Sequence, residues 1–309
     1  ELPVVIISSL DAEKILKKAL QKVPQNYHNP VAGTYFYRDW RIVDDTLFVF
    51  AEGIFDILNE HYGEIHLLDS DLDIETYGQN SYSIIQKHRL LVYDTAVLIS
   101  DGDNLSNYQE LYILDCLMHP NYMIRRIMKI RSIYSLSAFY DAEGTLFYVV
   151  EQRIKKPTYK FMFSAIRYTI NTTDYAITHI EMSHKLDTKI KILYIPTSYR
   201  FQIDTCITIN QYEKVNGKYI LTLASSFLNM GYGNPEKNFR KLKMNVVYQL
   251  TSLNNTAIDS FPKERAISPK KNTFLDVFTN STYDESFWEQ YNYIPLDEDV
   301  KRMIENRKK

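Results

Sequence analysis

The chain has 309 residues, 45% of them hydrophobic and 24% charged, enough for one large domain or two of ordinary size around a sizeable core. The charges nearly cancel at a formal −2, which speaks against a nucleic-acid binder with its basic surplus, although a local basic patch remains compatible. No apolar run reaches the roughly 18 residues of a membrane-spanning helix.

Tyrosine stands out, with 25 copies beside 15 Phe and only 9 Gly. Aromatic and β-branched residues suit a pleated, half-buried surface, and tyrosine can turn a ring to an apolar space and a hydroxyl to water. A large antiparallel sheet follows, or such a sheet with a partly open aromatic hollow. The two cysteines, Cys116 and Cys206, could pair, but a chain of this size does not require it. Cys206 lies in a β-like run and reads as a small buried hydrophobe rather than a nucleophile.

In chain order, residues 3–7 form a β-like run. The abrupt opening "ELPVVI" reads like the last strand of something earlier, an excised or processed piece, so the lack of a signal peptide carries no information. Next, "SLDAEKILKKALQKVP" predicts an amphipathic helix. Ser9 or Asp11 caps it, Ile15, Leu16, Ala19, Leu20 and Val23 form its apolar stripe, and Pro24 stops it. "GTYFYRDWRIVDDTLFVFAEGIFDIL" predicts two strands joined at Asp44-Asp45. One or two further strands are expected around Glu64–Glu75, and "SNYQELYILDCLMHPNYMIRRIMKI" reads as mostly helical, interrupted at His119-Pro120. Residues 9–133 thus form a helix-and-strand region that continues or covers a sheet.

From Tyr134 the pattern changes. "YSLSAFYDAEGTLFYVVEQRI" holds two strands around Asp141-Ala142-Glu143-Gly144, and "YKFMFSAIRYTINTTDYAITHIEMS" holds two more. Three or four follow, with Asn216-Gly217 a strong hairpin turn, and "KLKMNVVYQLTSLN" adds another. Hairpin after hairpin makes residues 134–253 an antiparallel meander with one dry and one wet face. Residues 254–309 read as a connector and a short C-terminal helix, capped by Asp297 and striped by Val300, Met303 and Ile304. The predicted class is α+β: a large curved, half-barrel-like antiparallel sheet with flanking helices.

Alternation predicts the dry face. In "YAITHIEMS", Ala176, Thr178, Ile180 and Met182 share one side; His179 and Glu181 share the wet side with Ile177. In "LFYVVEQ" the phase is open between Phe147/Val149 and Tyr148/Val150. In "KFMFSAIRYTI" it is open between Phe161/Phe163 and Met162/Ile166/Tyr168/Ile170. Phe147, Phe161, Phe163, Tyr168, Ile180 and Met182 are the candidate ligand-binding residues of that face.

Catalytic motifs do not emerge. There is no Gly-rich phosphate loop and no GxSxG elbow. His61, Glu64 and His66 in "EHYGEIH" are zinc-type ligands at a spacing that matches no strong pattern. "DSDLD", Asp69 to Asp73, alternates carboxylates like a calcium loop but lacks its glycine and its later glutamate. The expectation is no metal and no cofactor. A carboxylate pair for glycoside hydrolysis could be assembled from distant acids, but nothing local singles one out.

The phrases "VPQNY" (23–27), "FYRD" (36–39) and "AEGIFDI" (51–57), with "INTTDYAITHIEMS", "YEKVNGKYILTL" and "FWEQYNYIP", resemble a family of Bacteroidetes envelope proteins. In these, a carboxypeptidase-regulatory-like β-sandwich precedes a conserved module with "IPxNY"-, "FYRE"- and "AEAVLDIY"-like segments. The resemblance implies that residues 1–8 are the remnant last strand of such a preceding β-sandwich. Arg38 and Glu52 keep that family's charges, whereas Asp39 and Gly53 depart from it. The hairpin around Asn171–Asp174 also resembles periplasmic lipoprotein carriers of the LolA type, in which a curved sheet wraps an apolar cavity closed by helices. The resemblance implies export, a periplasmic or outer-membrane location, and a hydrophobic, lipid-like ligand or an envelope protein partner. It supplies no catalytic residues. The function it implies is a non-enzymatic envelope module; the alternatives are a glycan or lipid hydrolase with a carboxylate pair, and a structural scaffold.

Overall fold

The computed structural model describes residues 11–28, 30–59, 81–93, 115–117, 131–155, 164–185, 191–192, 200–233, 242–254, 261–267, 284–291, 295–296 and 298–307. Among these, eleven strands form one sheet: β1 (Val31–Val43), β2 (Thr46–Asn59), β3 (Ser81–Tyr93), β4 (Ser132–Tyr140), β5 (Leu146–Ile154), β6 (Ala165–Asn171), β7 (Ile177–Lys185), β8 (Lys191–Ile192), β9 (Arg200–Val215), β10 (Lys218–Gly233) and β11 (Leu242–Ser252). The order across the sheet is β3-β2-β1-β11-β10-β9-β7-β6-β5-β4, with the short β8 also on β9. All neighbours run antiparallel. The sheet is open and curled, the curved α+β architecture that the meander pattern predicts. The N-terminal strands continue it, because β1 zips onto β11 from Tyr35↔Ser252 to Val43↔Met244.

The hairpins turn where the sequence places them. Asp44 and Asp45 both have positive φ (45° and 61°), as do Asn216 and Gly217 (51° and 86°). Two consecutive left-handed residues match the right-handed twist of the flanking strands. At the β4–β5 turn, Gly144 takes φ 82° and the Asp141 carboxylate accepts from the Thr145 N–H at 2.7 Å.

Three α-helices cover the sheet among the described residues. Helix α1 (Ala12–Asn26) is capped by Asp11, whose carboxylate accepts from the N–H groups of Glu13 and Lys14. It runs past the predicted stop, with Pro24 inside its last turn, and ends when Tyr27 turns extended while its N–H still reaches the Val23 carbonyl at 3.1 Å. Ala12, Ile15, Leu16, Ala19 and Val23 are buried against the sheet. Helices α2 (Glu285–Gln290) and α3 (Glu298–Arg307) cover the opposite face over β1–β3. The face under α1 is termed inner and that under α2 and α3 outer.

Several expectations are corrected. Strand β3 was not foreseen, and neither was α2. Ile177 is in the core, fully buried, and not on the wet face. The β6–β7 register runs Thr169↔His179 and then Ile170↔Ile177, so Thr178 is an extra bulge residue and Ile177 turns inward opposite Ile170. Phe147 lies on the outer face, because Val150, Gln152 and Ile154 set the buried phase of β5. Its ring stacks instead on its cross-strand partner Phe139, centroids 5.5 Å apart. Of the stretch read as helical around Cys116, only Asp115–Leu117 is described, as a turn. Phe161, Phe163, His61, Glu64, His66, Asp69–Asp73, Asp297 and residues 1–8 lie outside the described residues.

Candidate functional site

The inner face from β5 to β7 carries largely apolar rows, with Gln152 among them. Cross-strand register lines up Val150, Tyr168 and Ile180 in one row, and Gln152, Ile166 and Met182 in the next. All six are fully buried. Tyr168, Ile180 and Met182 therefore sit together, while Phe147 is on the far side of the sheet. His179 and Glu181 are half-buried on the outer face, with Glu181 opposite Arg167. Burial holds the His179 imidazole below its ordinary pKa, against the pull of Glu181.

Helix α1 closes one end of this floor, and tyrosines fasten it there. Tyr27 is fully buried, donates to the Ile177 carbonyl at 2.5 Å, and packs edge-on against Tyr212 at 5.5 Å. Asn26 donates to the Asp174 carbonyl at 2.9 Å, and Lys18 lies 3.7 Å over the Tyr175 ring. Desolvation raises the Tyr27 and Tyr168 phenols far above their ordinary range. Tyr219 is pushed up to about 12 by burial and then by Asp174. These hydroxyls stay protonated donors, which suits structural hydrogen bonds rather than proton transfer.

Away from α1 the floor becomes polar. On β9, Cys206, Thr208 and Asn210 all face inward and are buried. Thr208 Oγ1 meets Ser226 Oγ of β10 at 3.1 Å. His184 continues the inward row Ile180–Met182 and stands opposite Cys206. It is 1% exposed, and neither ring nitrogen has a hydrogen-bond partner. Burial lowers its pKa, so the ring is neutral at physiological pH. Cys206 is pushed up to about 11 by burial, with the Thr208 hydroxyl acting in the other direction. Cys116 is raised further by burial, Asp115 and Cys206. Both thiols are free and buried, and are thus un-ionised and poor nucleophiles.

Among the described residues, Asp39 and Asp115 are the carboxylates buried on the inner face, and both are engaged. Asp39 pairs with Arg41 at 3.2 Å, and its pKa is nonetheless raised by burial. Asp115 accepts from the Tyr212 hydroxyl at 2.7 Å and from the Leu117 N–H at 3.0 Å. Among the described residues no group of three or more His, Cys, Asp or Glu side chains could hold a metal ion. Sequence reasoning did not single out His184, Thr208, Asn210 or Ser226. For His184 the signal was present: extending the alternation Ile180–Met182 by one step reaches it.

No family model matches the chain, and no curated protein matches it in sequence. Among solved structures it is similar to a LolA superfamily protein from Nitrosomonas europaea, at 10% identity and a TM-score of 0.29, covering 80% of this chain and 96% of the other. A domain from Vibrio parahaemolyticus, described as an outer membrane lipoprotein-sorting protein, matches at 9% identity and a TM-score of 0.21, covering 82% and 98%. Lipovitellin matches at 8% identity and a TM-score of 0.28, with 88% of this chain covering 30% of that one.

Proposed function

We propose that the chain is a non-enzymatic binding module that receives an apolar, lipid-like ligand on the inner face of its sheet. The supporting observation is the gradient of burial along that face. Toward the β9–β10 hairpin it is sealed, with Leu221 3% exposed and Ala224 0%. Further along the same strand Ser226 and Leu228 are only half-buried, so the apolar floor opens toward one end. Sealed apolar rows that give way to a half-buried rim at Ser226 and Leu228 suit a mostly apolar ligand entering from that rim, with few polar groups to meet it. The resemblance to envelope proteins adds an exported, periplasmic or outer-membrane setting to the proposal.

The test is titration of the delipidated chain with a fluorescent fatty acid such as cis-parinaric acid. Saturable binding is expected. Leu228→Arg, a change at the half-buried rim, should weaken it about tenfold, since a charged head facing the apolar path costs more than 1.4 kcal/mol. Its melting temperature should stay near that of the parent. Absence of saturable binding would leave the inner face as a self-filled core and the chain as a scaffold.

A further inference from the structure

The two edges of the sheet are built differently. At one end, β3 carries Lys87 and Arg89, its register with β2 slips twice, and the Ile267 N–H donates to its Ser83 carbonyl at 2.8 Å. Charges, bulges and a covering segment are the usual devices that stop an edge strand from pairing with another chain. At the other end, β4 has none of them. Its nine residues, "SIYSLSAFY", include no charge, no proline and no glycine, and they pair with β5 from Ser132↔Ile154 to Tyr140↔Leu146 without a register shift. Three large hydrophobic side chains are exposed among the described residues, and β4 holds two of them: Ile133 at 55% and Tyr140 at 47%. Backbone direction follows from the ladder. Just outside the strand, the Lys155 N–H donates to the Arg131 carbonyl at 3.2 Å and the Asp141 N–H to the Thr145 carbonyl at 3.0 Å. In an antiparallel pair alternate residues bond to the same neighbour, so the odd-numbered residues of β4 bond to β5, and Leu136 and Ala138 turn their N–H and C=O groups to the other side. Among the described residues no strand pairs there.

We infer that a second copy of this chain pairs along β4, antiparallel and about a two-fold axis at Leu136. The strand's own residue order favours this occupant. Turned end for end about Leu136, it sets Ile133 against the partner's Phe139 and Ser135 against the partner's Ser137, so apolar meets apolar and hydroxyl meets hydroxyl. With no charge on the strand, no like charges are opposed. The odd-numbered residues face outward, where Phe139 stacks on Phe147 with centroids 5.5 Å apart, and Ile133 of the other copy extends that stack and loses its exposure. The pairing is isologous and uses up both unguarded edges. The guarded edge at β3 prevents further growth, so the assembly closes at two copies. The result is one continuous sheet with both inner faces on the same side. A nine-residue edge is a small interface beside the roughly 1,200–2,000 Å² of a stable complex, so the dimer is reversible, with a dissociation constant on the order of 10 μM. This inference goes beyond the ligand reading and does not depend on it.

Sedimentation velocity of the full chain from about 2 to about 200 μM should show a monomer–dimer equilibrium. Ser135 is exposed and its side chain faces outward, so Ser135→Lys adds a charge to the edge without touching the core. It should raise the dissociation constant about tenfold or more, while the melting temperature of the dilute protein stays within about 2 °C of the parent's. Ser135→Thr should keep the dimer. Cross-linking with oxidised glutathione tests the register. Leu136→Cys, at the axis, should give a disulfide-linked dimer, whereas Tyr140→Cys, more exposed but far from the axis, should not. The two native thiols are buried and take no part. In hydrogen exchange, the amides of Leu136 and Ala138 should gain protection as the concentration rises. A chain that stays monomeric to the highest concentration overturns the inference. So does a dimer that Ser135→Lys leaves unchanged, or one that links through Tyr140→Cys and not through Leu136→Cys, since it uses another surface. If the Leu136 and Ala138 amides are already protected in the monomer, another part of the same chain covers the edge and the inference fails.

Discussion

Glu52→Gln should be among the most damaging single substitutions in the outer layer. Glu52 is 1% exposed and receives two arginines: Arg38 Nε at 2.5 Å from Oε1, and Arg89, whose guanidinium grips Oε2. Arg38 is 5% exposed and Arg89 15%. Removing one partner of a buried ion pair costs about 3–5 kcal/mol, because the remaining charge is left uncompensated. Here the amide keeps one acceptor oxygen, Arg38 keeps a long bond to the Pro295 carbonyl at 3.4 Å, and Arg89 keeps its place 4.9 Å over Trp288. These residues place the loss at the lower end, about 3 kcal/mol. At roughly 2–4 °C per kcal/mol for a large domain, the melting temperature should fall by on the order of 10 °C. Trp288 reports on the event directly: it is 3% exposed, donates to the His88 carbonyl at 2.8 Å, and should shift its emission to the red as α2 loosens. The control is Glu151→Gln, whose Arg153 partner is 70% exposed, and which should stay within about 0.5 kcal/mol. A Glu52→Gln loss no larger than the control's, with unchanged Trp288 emission, would mean that the triad is wet and that α2 and α3 do not seal the outer face.

The two faces of β7 should differ sharply in thermal melts. Ile180→Asp should cost about 3 kcal/mol or more by burying an unpaired carboxylate, and His179→Ala, half-buried on the outer face, on the order of 0.5 kcal/mol; the reverse order would invert the sheet. Stability should also depend on pH through the buried imidazoles. Folding lowers the pKa of His184 and His179, so the unfolded chain takes up protons first. Their contribution is complete above the unfolded value of about 6.5 and is lost as pH falls through the lower folded values. Denaturant melts of His184→Leu between pH 7.5 and pH 5 (values chosen to be about one unit or more either side) should show a shallower decline than the parent. An identical decline would remove His184 from that account.

The sheet was legible in the sequence wherever its period stayed clean. Two-residue turns at Asp44-Asp45 and Asn216-Gly217 demand left-handed residues, and aspartate, asparagine and glycine supply them. The single-face alternation Ile180–Met182 fixed the inner side of β7. Elsewhere bulges erased the period. In β3, "SYSIIQKHRLLVY" carries apolar residues in adjacent pairs, Ile84-Ile85 and Leu90-Leu91, and the β2–β3 register slips twice, near Phe50/Ala51 and Ile54/Phe55. A strand whose phase changes partway does not read as a strand. In β5 the run Leu146–Val150 is apolar at every position, so only pairing with β6 chooses Tyr148 and Val150 over Phe147 and Val149. Helix α2 has six residues, too few for a helical stripe; Trp288 holds it by burial and by one hydrogen bond. His184 was missed because an isolated histidine at the end of an alternating run looks like solvent-facing polarity until both faces are placed.

The phrases that carry the envelope-family resemblance acquire physical reasons on opposite faces of β1 and β2. Arg38 and Glu52, the retained charges, face outward and clamp the strands to each other and to β3 beneath α2 and α3, where Trp40, Phe50, Val300 and Ile304 pack. Asp39 and Gly53, the departures, face inward. Asp39 is balanced two residues on by Arg41. Gly53 has Phe55 lying across it on the same strand, and a Cβ at position 53 would collide with that ring. The family-like phrase has alanine and leucine where this chain has Gly53 and Phe55. The Phe55 ring thus occupies the space that a side chain at position 53 would need. The charged signature is accordingly a device for attaching the C-terminal helices. The inward rows of β7, β9 and β10 differ in kind: there Thr208 and Ser226 pair with each other as neutral hydroxyls, while His184 is buried without a hydrogen-bond partner among the described residues.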